Sequence, residues 1–259
     1  MKLGRQVWVI GGTGESGVLV RGLVATGVSC VVTVTTETAR SLYPDSPLVW
    51  VEVGRLDLEA LKAFIQEYQI CCIVDASHPF AVVVSQLAIA AAEQYQLPYL
   101  RFEREQMAQE SREEGFSFAS FEALLATDIL VGERVLLTIG YRSLALFDTW
   151  QSRSTLFARI LPSITALEAA LMAGFTPDRL IALRPPISLE LERALWQQWQ
   201  ISLVVTKASG KPGGEDVKRQ LAAELSVKLA VIDRPILKYP QWTNDLEQAI
   251  GFCQQAVQA

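Results

Sequence analysis

Four stretches of this sequence carry residue types and spacings that can do chemistry. Gly11-Gly12-Thr13-Gly14-Glu15-Ser16-Gly17 satisfies Gly-x-Gly-x-x-Gly through Gly12, Gly14 and Gly17. That pattern suits a tight turn, close backbone approach to a pyrophosphate, and free N–H groups at a helix N-terminus aimed at the anion. About 20 residues further on, Thr35-Thr36-Glu37-Thr38-Ala39-Arg40 stands where a carboxylate would bind a ribose hydroxyl and an arginine a 2′-phosphate. Thr36 and Arg40 favour NADPH. The bland alternative is that Glu37 and Arg40 cap and solvate a short helix.

The third stretch is Asp75-Ala76-Ser77-His78-Pro79-Phe80-Ala81, where Pro79 suits a first helical position and His78 a place near the cap. Ser77, His78 and Pro79 are expected beside the cofactor. The fourth, Thr206-Lys207-Ala208-Ser209-Gly210-Lys211-Pro212-Gly213-Gly214, combines lysines, glycines and a following helix. Such a loop receives carboxylates or phosphates, and the alternative is a surface loop with incidental lysines. Arg159 and Arg184 also end strand-like runs and are candidates for the same anion.

These residues need a scaffold that brings strand ends together. The first hundred residues alternate strand and helix patterns: strands at Val7–Ile10, Ser29–Val34, Leu48–Val53, Ile70–Val74 and Tyr99–Phe102, and helices near Glu15–Ala25, Leu56–Tyr68 and Pro79–Tyr95. The polar stretch Glu103–Ser117 interrupts this pattern and is expected to begin a passage between domains. Alternation resumes with strands at Arg134–Ile139, Thr155–Ile160, Leu180–Leu183, Ser202–Thr206 and Lys228–Ile232, and a closing helix Asp245–Gln258. Strand–helix–strand repetition implies parallel sheets covered on both faces. The expected fold is α/β, with two Rossmann-like doubly wound domains, 1–130 for the dinucleotide and 131–259 for the substrate, and a ligand cleft between them.

Composition narrows the classes. Half of the 259 residues are apolar and a fifth are charged, which excludes a disordered chain. No apolar run reaches the roughly 18 residues of a membrane span, and Met1–Arg5 leads at once into a strand, so no signal peptide is expected. Cys30, Cys71, Cys72 and Cys253 lack metal-ligand spacing and read as reduced core residues of a cytoplasmic protein. A single histidine, His78, leaves no His-rich metal site. Residues 1–130 hold 9 basic and 16 acidic side chains, residues 131–259 hold 14 and 12. The second half therefore suits a polyanionic small molecule better, and no basic stripe points to nucleic acid.

Taken in order, the motifs resemble the precorrin-6A reductase family, including its cobalt-precorrin-6A branch. The resemblance rests on Gly11–Glu15, Gly54-Arg55-Leu56-Asp57, Asp75–Ala81, Leu137-Thr138-Ile139-Gly140, Ala158-Arg159-Ile160-Leu161-Pro162, Thr206–Gly210 and Asp233-Arg234-Pro235. Ser77 stands where threonine is commoner, and Tyr141 where a basic or small residue is often found. The resemblance implies NADPH-dependent reduction of one ring double bond in a polycarboxylated tetrapyrrole of corrin biosynthesis. It implies cofactor contacts at Gly11, Gly12, Thr13, Gly14, Glu15, Ser16, Thr36, Arg40, Ser77, His78 and Pro79. Substrate contacts follow at Gly140, Arg159, Arg184, Lys207, Ser209, Gly210 and Gly213, with His78, Tyr141, Lys207 or water delivering the proton. Contact with other corrin-pathway enzymes is a further partner class. Two rivals are an NADP-sensing regulator without catalysis and a short-chain dehydrogenase; the latter lacks its Tyr-x-x-x-Lys here.

Overall fold

Strand-forming runs of Val and Ile alternate with helices whose caps are written into the sequence. The computed structural model describes residues 4–103 and 115–259; residues 104–114, most of the expected interdomain passage, lie outside the described residues. The chain begins β1 (Gln6–Ile10), α1 (Gly14–Ala25), β2 (Cys30–Val34), β3 (Val49–Val53), α2 (Leu58–Glu67), β4 (Ile70–Asp75), α3 (Val82–Tyr95) and β5 (Tyr99–Phe102). Next come β6 (Phe116–Phe118), α4 (Phe121–Leu125), β7 (Arg134–Leu137), a 3₁₀ helix Tyr141–Trp150, β8 (Thr155–Ile160), α5 (Ile164–Met172) and β9 (Leu180–Ala182). Then follow α6 (Leu189–Gln198), β10 (Leu203–Lys207), α7 (Glu215–Leu225), β11 (Lys228–Ile232), β12 (Trp242–Thr243) and α8 (Leu246–Gln258).

Two six-stranded sheets result, β12-β5-β4-β1-β2-β3 and β6-β11-β10-β7-β8-β9, and every strand pairing among the described residues is parallel. Each has the doubly wound order in which the sequence of strands reverses beside the first strand. That reversal falls between β1 and β4 in one sheet and between β7 and β10 in the other. The sixth strand comes from the chain's return in the first sheet and from the segment before β7 in the second.

The compact units are therefore Met1–Glu105 with Ile236–Ala259, and Gln106–Pro235. The expected boundary at 130/131 falls inside the second unit, and α8 belongs to the first. Burial is the reason: Ala249 and Cys253 of α8 pack with Val7, Val9, Leu19 and Leu23 in one core layer of the first sheet. The opposite face of β1, Trp8 and Ile10, packs with Leu61 and Phe64 of α2 and Ala88 and Ala91 of α3. This is the two-residue alternation of a strand covered on both sides. In the second unit Leu136 and Val204 pack with Trp196 of α6 and Leu221 of α7.

All four cysteines are buried thiols. Burial pushes Cys30 up to about 12. Among the described residues no helix is long and apolar enough to cross a membrane.

Candidate active site

The glycine loop leaves β1 and enters α1 as expected, and Thr13 caps that helix, accepting from the Ser16 amide at 3.1 Å. Ser16 closes a reciprocal box by accepting from the Thr13 amide at 3.1 Å. One difference from the sequence reading is that the loop amides are not free. The Gly12 N–H donates to the Tyr43 hydroxyl at 2.7 Å, and Tyr43 and Ser16 hydroxyls lie 2.8 Å apart. Burial raises the Tyr43 pKa, and the bonds from Ser16 and Gly12 oppose that rise. Gly11 must lack a side chain because a Cβ there would lie 2.1 Å from the Tyr43 hydroxyl and 2.8 Å from Val32 Cγ1. Gly12 has φ +97°, and a Cβ on Gly12 or Gly14 would meet only open space. Glu15 stands half-buried in the first turn of α1.

Beyond β2, Thr36 precedes a 3₁₀ helix at Glu37–Leu42, and its hydroxyl lies 3.2 Å from that of Thr38. Arg40 donates from Nε to Glu37 at 2.8 Å on the exposed surface, so part of its guanidinium is already engaged. A cavity of about 390 Å³ opens next to this region, lined by Thr33, Glu52, Gly54, Arg55, Phe64 and Tyr68 among others.

The histidine turn is built differently from expectation. Pro79 does not open the helix: α3 starts at Val82, Ala81 offers no side-chain cap, and the His78 carbonyl accepts from the Ala81 amide at 2.8 Å. His78 is exposed, and its Nδ1 accepts from the Phe80 amide at 3.2 Å. Ser77 is buried, its hydroxyl accepting from Arg101 at 3.1 Å, which turns it inward and away from an external ligand. Thr13 Oγ1 donates to the Ala76 carbonyl at 2.8 Å, so glycine loop and histidine turn are joined.

In the second unit Gly140, with φ +81°, ends the extension of β7 and leads into Tyr141–Trp150. Arg142 lies 5.6 Å from the Tyr141 ring centroid. Lys207 ends β10, its Nζ 5.6 Å from the Phe121 ring centroid. Burial, and then the neighbouring Arg142 charge, bring Lys207 down to about 8.

The glycines after Lys207 do not leave an open helix end. The Gly210 amide donates to the buried Glu215 carboxylate at 2.8 Å, and Arg219 bonds the other oxygen of Glu215. Lys218, also buried, donates to the Gly213 and Gly214 carbonyls at 2.8 and 3.0 Å. Gly213 is required because a Cβ would sit 1.9 Å from Ser209 Oγ. Arg159 is ion-paired with Glu192, their side chains 10% and 3% exposed, and Trp196 donates to the same carboxylate at 3.1 Å. Its expected role toward an external carboxylate is thus met by an internal one. Arg184 is exposed, ahead of Pro185-Pro186.

A family model described as precorrin-6x reductase CbiJ/CobK matches residues 6–254. The chain belongs to the precorrin-6x reductase family. A cobalt-precorrin-6A reductase of Synechocystis sp. is 48% identical over 250 residues, 96% of each chain. One from Priestia megaterium is 31% identical, over 94% of this chain and 96% of its own. The solved structure of CobK precorrin-6A reductase shares this fold with a TM-score of 0.79 at 23% identity, covering 97% of both chains.

Sequence reasoning missed Tyr43, Arg101, Glu215 and Lys218. Arg101 alone left a signal, a charge inside the apolar run Tyr99–Phe102. Nothing in spacing marks Tyr43, which reaches Gly12 across 31 positions.

Proposed function

We propose that this chain reduces one ring double bond of cobalt-precorrin-6A, or of precorrin-6A, with NADPH as hydride donor. The observation that carries this reading is the 48% identity, over 96% of both chains, to the Synechocystis cobalt-precorrin-6A reductase. The Gly54-Arg55-Leu56-Asp57 motif leans toward the same cobalt branch.

The first unit fits a dinucleotide. The Cβ positions of Gly12 and Gly14 face open space, and the loop amides are held by the neutral hydroxyls of Tyr43 and Ser16. A hydroxyl can turn and exchange its bond, so these amides remain available to an anion. Gly11, Gly12, Thr13, Gly14 and Ser16 would hold the diphosphate. Glu15 suits a ribose hydroxyl, because a carboxylate repels phosphate. Thr36 and Arg40 would hold the 2′-phosphate in competition with Glu37. When bound, NADPH supplies the hydride; the protein has to position the partners and provide a proton.

For that proton Lys207 is the best placed by chemistry. With a pKa of about 8 it is charged at neutral pH yet acidic enough to give the proton up. His78, its ring fixed by the bond from the Phe80 amide to Nδ1, would orient its ligand. Gly140, Tyr141 and Arg184 would contact the macrocycle and its carboxylates, and Ser209, Gly210 and Gly213 shape the loop that carries Lys207. The reaction rate is expected to fall as pH rises through about 8, and Lys207→Met should remove that limb. The direct test is anaerobic incubation of each macrocycle with enzyme and NADPH. NADPH that binds without any macrocycle gaining two hydrogens would return the chain to the regulator reading.

A further inference from the structure

The histidine turn is gripped from beneath by one side chain. Arg101 is 1% exposed and ends its bonds on the turn and its root. One terminal nitrogen donates to Asp75 Oδ1 at 2.8 Å and to the Ser77 hydroxyl at 3.1 Å. The other donates to the Ser77 carbonyl at 3.0 Å, and Nε donates to Glu103 at 2.9 Å. Asp75 is saturated in return: its Oδ1 also accepts from the Ser77 amide at 3.0 Å, and its Oδ2 from the Tyr99 hydroxyl at 3.0 Å. The Tyr239 ring lies 5.2 Å from the guanidinium carbon. Burial alone would lower the Arg101 pKa, but Asp75 and Glu103 outweigh it and raise it.

A buried ion pair is a poor way to gain stability, since apolar packing of the same volume is often as good or better. What the planar fork adds is geometry, two fixed directions that a lysine cannot reproduce. Here both directions fix Ser77, the residue before His78. We propose that Arg101 is the positioning residue of the reductase, clamping Ser77 so that His78 is held with Nδ1 on the Phe80 amide and Nε2 toward the ligand. Thr13, bonded to Ala76, transmits the same register to the glycine loop. The ligand side of this inference rests on the reading that the first unit binds NADPH.

The test uses Arg101→Lys in the full chain, with folding checked by circular dichroism, and two readouts. The first is the ¹⁵N resonances of the imidazole in the free protein, unambiguous because the chain has one histidine. The parent should show Nδ1 shifted by the bond from Phe80, and Arg101→Lys should show Nδ1 moved toward the value of a solvent-exposed ring. The second is NADPH affinity by fluorescence titration, expected to weaken roughly tenfold, the effect of about one lost hydrogen bond. If Arg101→Lys does not fold, Ser77→Ala decides, since it removes only the hydroxyl partner and should move the same resonance and weaken NADPH by a few-fold. An unchanged imidazole with unchanged affinity in a folded variant overturns the clamp. A parent that binds no NADPH sinks the cofactor reading instead, and the imidazole resonances still judge the clamp.

Discussion

The loops after β4 and β10 occupy the same place in two sheets of the same strand order, each beside the first strand. Both begin with a charge followed by Ala-Ser: Asp75-Ala76-Ser77 in one, Lys207-Ala208-Ser209 in the other. Each is braced by a buried cation that donates to loop carbonyls, Arg101 to Asp75 and Ser77, Lys218 to Gly213 and Gly214. The difference lies in what meets the loop amides. In the first unit the Ser77 amide goes to the Asp75 carboxylate within the loop itself, while the amides of the neighbouring glycine loop after β1, Gly12 and Thr13, go to the neutral hydroxyls of Tyr43 and Ser16. In the second the Gly210 amide goes to the Glu215 carboxylate from the following helix. One strand plan thus leaves amides on exchangeable hydroxyls beside the β4 loop in the first unit. In the second, the helix end is already neutralised from within, which leaves side chains such as Lys207 as the groups that would meet an external anion.

The strongest way to break the comparison is to remove a brace. Arg101→Met leaves Asp75 and Glu103 without their partner and is expected to cost about 3–5 kcal/mol, measured by urea unfolding. Adding Asp75→Asn should recover part of that, and a loss below about 1 kcal/mol would mean the network holds nothing.

Lys218→Met should sharpen the contrast through pH. Burial first, and then Arg159, bring Lys218 down to about 8 from 10.5, against the pull of Glu192, Glu215 and Asp216. A lysine with a depressed folded pKa destabilises the fold while charged, so the native state gains as pH rises from about 8 to 10.5. The gain is at most about 3 kcal/mol, seen as a growing stability difference between parent and Lys218→Met. A constant difference across that window would contradict the buried charge.

Glycine substitutions probe the loops more gently. Gly213→Ala should cost about 1–3 kcal/mol by overpacking, and a second change, Ser209→Gly, should relieve it. Gly11→Ala should not be rescued by Tyr43→Phe, because Val32 Cγ1 remains 2.8 Å from the added carbon. Thermal unfolding of the four variants separates these outcomes. The smallest effect is expected from Thr13→Ala, about 1 kcal/mol for a lost helix cap.

Alternation of apolar runs was enough to place all the strands except the short β6 and β12, and Tyr99–Phe102, Thr155–Ile160 and Lys228–Ile232 match their expected bounds. Periodicity reports which face of an element is buried, not which sheet it joins. The two-residue β12 and the amphipathic α8 therefore gave no hint that they return to the first unit. Tyr141–Trp150 carries Leu144, Phe147 and Trp150 at three-residue spacing, the 3₁₀ period, and these are its buried residues. The site was legible where chemistry sits in consecutive residues, as in the glycine loop and the histidine turn. It was illegible where a partner arrives from far along the chain: the pairing of Arg159 with Glu192, 33 positions away, cannot be found by inspection.

The most direct test of the central claim is isotopic. The reductase should be incubated anaerobically with cobalt-precorrin-6A and NADPH deuterated at the transferable C4 position, and the macrocycle analysed by mass spectrometry. The expected product carries one deuterium from the dinucleotide and one hydrogen from solvent, and with unlabelled NADPH in deuterated water it again carries a single carbon-bound deuterium. A reduced macrocycle with no deuterium from NADPH, or no reduction while NADPH is bound, would contradict hydride transfer on this protein.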